Sequence, residues 1–257
     1  MTGALEAAGI GTVALKPAEC DPARAADLPE GVGVVFDWEG EEHLPNADLL
    51  ESLATERPVR VTTPVRCDGF DPEGNDSLTR SLPDSVGRVL VAGHGAYLSE
   101  DEGRRRVAPR IAAAAEASAD PWVGTEGIER VALATGATQF ELLSRRTDRE
   151  LSDLRTAGFE GEIALYAPTV VTDDDDEILD ALGEYVARRG PVSRALPEEA
   201  ATDSAATGRA REILLAAAAD YALVGSREKI ADRVDALREA GADRVVSYPA
   251  RGVEDLL

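Results

Sequence analysis

Lysine is nearly missing from this chain of 257 residues. Lys16 and Lys229 are the whole supply, and arginine provides every other base. Cysteine and histidine occur twice each, as Cys20, Cys67, His43 and His94. Two cysteines make neither a disulfide framework nor a cysteine-rich zinc site. Two histidines without a His-x-His pair argue against a barrel metallohydrolase. No Gly-x-x-x-x-Gly-Lys-Ser/Thr motif is present, which excludes a P-loop NTPase. No apolar run approaches the roughly 20 residues needed to span a bilayer. The opening Met1–Ala8 is too short and too acidic for a signal peptide. A cytoplasmic protein is expected.

Acidic residues are abundant. Asp and Glu number 49 against 27 Lys and Arg, a formal net charge of −22. Such a charge repels phosphate backbones and acidic lipids, so neither nucleic acid nor a membrane surface is an expected partner. The acids are spread along the chain, and with arginine replacing lysine this reads as a salt-in halophile, archaeal in origin. Molar salt shortens the Debye length to about 3 Å and screens that repulsion. Hydrophobic residues make up 44% of the chain, enough to argue against global disorder. The length suits one large domain or two small ones, with ample chain for a core.

Eight short apolar runs read as strands: 12–16, 33–37, 59–63, 88–92, 121–124, 138–143, 162–167 and 244–248. Several are almost continuously apolar, as parallel strands buried on both faces should be. Helical spacing lies between them, as in Ile178, Leu182, Tyr185 and in Ile230, Val234, Leu237. Capping boxes at Ser99…Glu102 and Thr147…Glu150, with a similar Thr172…Asp175, mark helix starts. Connections after Lys16 and Asp37 are short or proline-broken, which disfavours full helices there. An internal repeat supports the alternation. Leu5–Ala14 (LEAAGIGTVA) is echoed by Leu154–Ile163 (LRTAGFEGEI) and by Leu237–Val246 (LREAGADRVV). Each copy is a helix end, a glycine suited to the left-handed conformation, and a strand entry. The pattern predicts a single-domain (β/α)8 TIM barrel over 1–257. Residues 190–208, rich in Pro, Glu, Thr, Asp and Ser, read as a lid-like insertion between strands seven and eight.

Three segments also resemble a known family. Val224–Val246 (VGSREKIADRVDALREAGADRVV) is similar to the terminal signature of the bacterial-luciferase-like family. Glu162–Pro168 (EIALYAP) resembles its seventh strand, and Pro121–Gly136 (PWVGTEGIERVALATG) its fifth strand, glycine turn and helix. The resemblance covers roughly Ala119 to Pro249. It implies the same (β/α)8 fold, and a coenzyme F420 (deazaflavin) or FMN cofactor whose phosphate meets the turn after strand five. Pairing of barrels in the family implies a possible homodimer. Where the family often carries an acid or histidine after its second strand, this chain has Lys16-Pro17.

In a barrel the chemistry sits at the C-terminal ends of the strands. That rule selects Lys16, Asp37, Arg66, His94, Thr125, Glu126, Ser144, Arg145 and Tyr248. Gly124, Thr125, Glu126 and Gly127 precede a helix whose free N–H groups suit a phosphate; an ordinary strand-to-helix turn is the alternative. His94, between Gly93 and Gly95, is placed to move a proton or face a cofactor ring, or else is a turn histidine. Lys16 suggests a Schiff-base amine, against a solvated strand-end lysine. Arg66 is a candidate for an anion. Asp37 and Glu39 flank Trp38 as a carboxylate pair in a chain where such pairs arise by composition. Asp173–Asp176 reads as a helix N-terminus rather than a cation trap, so no metal is expected. His43 reads as a surface residue. The leading expectation is an F420- or FMN-dependent oxidoreductase acting on a small organic substrate. The alternative is a catalytically inactive barrel that serves binding or assembly, and a Lys16 Schiff-base lyase comes third.

Overall fold

The structure, a computed structural model, describes residues 5, 8–95 and 97–256. Glu6 and Ala7 of the first repeat, and most of the segment read for a targeting signal, lie outside those residues. The strands are β1 (Thr12–Leu15), β2 (Gly33–Phe36), β3 (Val59–Pro64), β4 (Gly87–Val91), β5 (Trp122–Gly124), β6 (Thr138–Leu142), β7 (Ile163–Val170), β8 (Leu223–Val224) and β9 (Arg244–Pro249). Eight of the nine fall on the eight expected runs. The addition, β8, has two residues, too few for any periodicity to show. Among the described residues, no helix is long and apolar enough to cross a membrane.

Two compact units divide the chain: Gly11–Glu141 with Glu160–Leu165, and the remainder up to Ile10 and from Leu142–Phe159 and Tyr166 onward. In the first, β1 to β6 pair in parallel in chain order. Every residue of β2 is buried, which explains its unbroken apolar run. The early connections are short, as the prolines suggest. A 3-10 turn (Pro22–Asp27) follows β1, with the Asp21 carboxylate accepting from Ala23 N–H. A 3-10 turn (Glu41–His43) and α1 (Ala47–Ala54) follow β2, and Asn46 caps α1 through Leu49 N–H. Only α2 (Ser77–Ser81) joins β3 to β4. Further on come α3 (Glu100–Gly103), α4 (Val107–Glu116) and α5 (Glu129–Thr135). Ile111 and Ala114 of α4 and Ala132 of α5 bury against Val65, Leu90 and Val123, making one core between helices and sheet. Full burial of a Leu or Ile side chain contributes about 2 kcal/mol.

The second unit holds α6 (Thr147–Thr156), α7 (Asp175–Ala187), α8 (Gly190–Ala195), α9 (Gly208–Tyr221) and α10 (Arg227–Ala240). β8 pairs in parallel with the end of β7. Segment 190–208 is α8 followed by a coil, and it is docked. Val192 and Ala206 are buried with Leu179, Val186 and Leu214, and Ser204 N–H donates to Asp180. The coil presses so closely on α7 that a Cβ at Gly183 would lie 1.7 Å from the Thr202 carbonyl oxygen. Tight packing of this kind requires glycine there.

Capping follows the sequence at one site and shifts at two. Ser99 and Glu102 form the full reciprocal box at the start of α3. Thr147, expected as a cap, lies inside α6 instead, its hydroxyl accepting from Ser144 N–H at 2.9 Å. Asp174 rather than Thr172 caps α7, accepting from Asp176 and Glu177 N–H. The rest of the acidic run is paired: Asp173 with Lys229, Asp175 and Asp176 with Arg211.

The repeat has a structural counterpart. Gly9 and Gly158 adopt left-handed φ values of 69° and 88°, and Gly241 a φ of 126°. An arginine then links the copies. Arg155, of the second copy, donates to the Gly241 carbonyl of the third through Nε (3.0 Å) and Nη2 (2.7 Å). Arg238, at the matching place in the third copy, donates to the Gly9 carbonyl of the first at 2.6 Å. A Cβ at Gly241 would lie 2.7 Å from the Arg155 side chain. Gly158 and Gly241 therefore end helices, and Gly9 and Gly241 seat an arginine.

Candidate functional site

The exits of β1 to β5 all belong to the first unit, and they carry most of the residues singled out by sequence. At β1, Lys16 is one-quarter exposed and paired with Glu19 at 3.1 Å. Its backbone carbonyl anchors the next turn by accepting from Cys20 N–H at 3.0 Å. Past β2, Asp37 is half-buried, with its N–H donating to Leu15 at 2.9 Å. Glu39 accepts from Ala18 N–H at 2.9 Å, so one acid of the expected pair ties this exit to that of β1. Trp38 packs edge-on to Phe70, with ring centroids 4.9 Å apart, and its N–H donates to Thr62.

Arg66 is fully engaged by backbone. Its guanidinium donates to the carbonyls of Ala92 (2.7 Å), Gly93 (2.9 Å) and Gly103 (2.8 Å). Five fixed donors on a planar fork suit such a grip. Beneath it lies a charged cluster that sequence reasoning missed. Asp71 is buried and bridges Arg105 (3.1 Å) and Arg110 (2.8 Å). Arg105 also donates to the Arg66 carbonyl and to Asp68. Glu102 is buried too, accepting from Asp68 N–H and from both the N–H and hydroxyl of Ser99, each at 2.7 Å. Burial opposes its charge, but these hydrogen bonds and one from the Cys67 thiol prevail and hold its pKa at about 2. Burial and the Glu102 charge push Cys67 up to about 11, which removes it as a nucleophile near neutral pH. The capping box marked Glu102 in the sequence as a helix start, while nothing there marked its burial.

The consequence of this cluster is a loop held at both ends. Arg66 fixes residues 92 and 93 where the loop leaves β4, and Glu102 fixes Ser99 where it enters α3. His94 and Tyr97 lie between, both exposed, with centroids 6.3 Å apart and rings steeply inclined to each other. Gly93 has a φ of 91° and packs on Pro64 and Leu98, so it is a backbone requirement. A Cβ at Gly95 would meet nothing within 4 Å beyond the adjoining residues.

The turn after β5 suits a phosphate less well than its glycines suggest. A Cβ on Gly124 would lie 2.9 Å from Val91, so this glycine serves strand packing. Thr125 is buried, and its N–H and hydroxyl both donate to the Phe140 carbonyl, at 3.1 and 3.4 Å. Gly127 takes a φ of 71° in a turn closed by Ile128 N–H to the Thr125 carbonyl at 2.9 Å. Glu126 is exposed there, a carboxylate beside the expected anion position. The helix that follows, α5, has seven residues and no side-chain cap. Arg66, the expected counter-charge, is taken by carbonyls. Neither Gly124–Gly127 nor Arg66 is therefore left to receive a phosphate: the turn is closed by its own backbone and the guanidinium is taken by carbonyls.

The second unit carries the remaining candidates. Ser144 accepts from Arg146 N–H at 3.2 Å, closing the turn into α6 that also holds Arg145. Tyr248 stacks on Tyr166, with centroids 6.2 Å apart and planes 11° from parallel. Buried Ser247 and Thr169 share a 2.7 Å hydroxyl hydrogen bond. Among the described residues, no three His, Cys, Asp or Glu side chains are grouped to hold a metal ion.

Comparison with solved structures gives the fold as a whole. An F420-dependent secondary alcohol dehydrogenase, in complex with an F420-acetone adduct, matches 95% of this chain and 96% of its own, with a TM-score of 0.60 and 13% identity. Apo-MsnO8 matches 96% of this chain and 97% of its own, with a TM-score of 0.55 and 14% identity. At such identity the likeness concerns fold, and the fold is a (β/α)8 TIM barrel. A search of curated proteins gives no match. The model of a family of unknown function, DUF7388, matches residues 5–256, and the chain belongs to that family.

Proposed function

We propose that this chain is a luciferase-type oxidoreductase that uses coenzyme F420 or FMN on a small organic substrate. The observation that carries the reading is the His94 loop: an exposed imidazole and an exposed phenol on a segment pinned at both ends, with open space at Gly95. Its placement at the exit of β4 is where barrel enzymes carry their chemistry. The likeness to an F420-dependent dehydrogenase over nearly the whole chain supports the same class. A bound cofactor of this kind would supply the hydride chemistry. His94 would hold or move the proton at its imidazole, Tyr97 would flank the ring, and the Arg66–Glu102 frame would fix both.

Titration with F420 and, separately, with FMN in molar KCl tests the reading. Ligand fluorescence and melting temperature are followed together, because a specific ligand must raise the melting temperature by mass action. Micromolar binding is expected, weakened by His94→Ala and by Gly95→Val. Gly124→Asp is a poor probe, since Val91 already fills that space. Absence of binding by either cofactor, in protein shown to be folded, would overturn the proposal.

A second reading has its own support. Arg66, Gly124 and Thr125, three of the residues expected to hold the cofactor, are engaged in the fold itself. That favours a barrel without catalysis, serving binding or assembly, and the same titration separates the two.

A further inference from the structure

The two bases at the strand exits of the first unit are both committed. Arg66 donates to three backbone carbonyls, and Lys16 is paired with Glu19. The turn after β5 adds no base to replace them. Its arginine, Arg130, lines a groove between α4 and α5 together with Ala112, Ala115 and Ala134, so it belongs to the helical layer. What the turn presents is acid: Glu126 within it and Glu129 as the first residue of α5, both exposed. Acids at a helix start satisfy the helix dipole, and they take the place that an anionic ligand would fill.

The surroundings oppose an anion as well. Asp37 and Glu39 follow β2, and the chain as a whole carries a formal charge of −22. A phosphate ester adds between one and two negative charges near neutral pH. Like charges repel it at this turn, and the repulsion grows as salt is diluted and the Debye length increases. Recognition of a ring makes no such demand. The imidazole of His94 and the phenol of Tyr97 present flat faces and hydrogen-bonding edges on a loop held at both ends.

We propose that the His94 site recognises the ring of its cofactor alone, and that the phosphate burdens binding instead of anchoring it. The inference rests on the cofactor reading above, and it departs from the phosphate position that the sequence resemblance implies. It assigns the site to phosphate-free flavins or deazaflavins as its tightest ligands. Two pairs of probes test it: riboflavin with FMN, and the phosphate-free deazariboflavin with F420. Each pair shares a chromophore, so one fluorescence titration reads both members. In molar KCl the members of a binding pair should agree within about threefold, because the repulsion is screened. In the lowest salt that keeps the protein folded, the phosphate-free member should bind about threefold tighter or more. Glu126→Lys places a base at an exposed position of the turn and should reverse that order. A phosphate ester bound more than about threefold tighter than its phosphate-free partner, at either salt, would overturn the inference and leave the cofactor reading intact. Affinities that stay equal as salt falls would overturn it as well, and so would an order that Glu126→Lys does not change. Binding of none of the four probes, in protein shown to be folded, would instead overturn the cofactor reading and this inference with it.

Discussion

Two parts of the molecule use the same device for different ends. In the second unit, Arg155 and Arg238 grip the carbonyls of Gly241 and Gly9, each tying down the glycine of another repeat copy. In the first, Arg66 grips the carbonyls of Ala92, Gly93 and Gly103 at the root of the His94 loop. A guanidinium donates several hydrogen bonds at once and keeps its charge, which a lysine cannot match at a forked site. The difference lies in what surrounds each grip. Around Arg155 the acid is half-exposed Asp243; around Arg66 stand buried Asp71 and Glu102, with Arg105 and Arg110. The repeat arginines close a fold, whereas the buried cluster also aims a loop. That contrast can be tested by breaking each part in turn.

The largest effect is expected at Asp71. Its carboxylate neutralises two guanidinium groups in a nearly solvent-free position, and removing one partner of a buried ion network costs about 3 kcal/mol or more. Urea unfolding of Asp71→Ala should show that loss. A change near zero would mean that Arg105 and Arg110 find other partners at no cost, and the cluster would not be a frame.

Next comes Glu102, where the effect depends on pH. Its pKa is about 2 in the folded protein against an ordinary value of 4.5. A group with a depressed folded pKa stabilises fully above its unfolded value, and that contribution disappears as pH falls toward the folded one. Wild type should therefore exceed Glu102→Gln in melting temperature at neutral pH, with the gap narrowing between pH 4.5 and 2. In Glu102→Gln one accepting oxygen replaces two, so the amide cannot accept from both Ser99 and Asp68 N–H, and His94 and Tyr97 should become more mobile. A gap constant with pH would show that the carboxylate charge is not what holds the loop.

These two regions also differ in how far they could be read from sequence. The repeat is local and recurs three times, so its spacing alone marks Gly9, Gly158 and Gly241 as helix endings. Eight strands are equally visible, because burial on both faces leaves unbroken apolar runs such as Gly33–Phe36. The buried cluster is not. Asp71 looks like any of 49 acids in a chain of this charge, its arginine partners lie more than 30 residues away, and the capping box that marks Glu102 shows nothing of its bond to Asp68 or its burial. The candidate site is legible in part for the same reason. His94 stands out as a rare residue between glycines, while Gly124 and Arg66 signal a ligand and instead serve strand packing and backbone carbonyls. Glycine and arginine are chosen by folds as often as by ligands, and only the third dimension says which.

A smaller loss is expected from the repeat itself. Arg155→Ala removes two hydrogen bonds to Gly241 and an ion pair with Asp243, a cost of about 1–2 kcal/mol, in line with the usual worth of charge-assisted hydrogen bonds. Arg238→Ala should cost less, having one such bond. If the two losses are equal, the number of carbonyl contacts is not what matters, and packing of the arginine stem over the glycine becomes the better account.

The smallest effect is expected at Lys16, and it sharpens the comparison from the other side. Its ion pair with Glu19 is local, three residues apart, and the acid is half-exposed. Such pairs contribute about 0–1 kcal/mol, less in molar salt where screening is nearly complete. Lys16→Met should therefore leave urea unfolding almost unchanged, in contrast to Asp71→Ala at the neighbouring exits. The pair also turns the amine toward Glu19 of the following turn. An amine engaged there is not presented to a carbonyl, so borohydride should trap no substrate on Lys16 at neutral pH. Trapping there would move the chemistry from the β4 exit to the β1 exit and make the His94 loop a bystander.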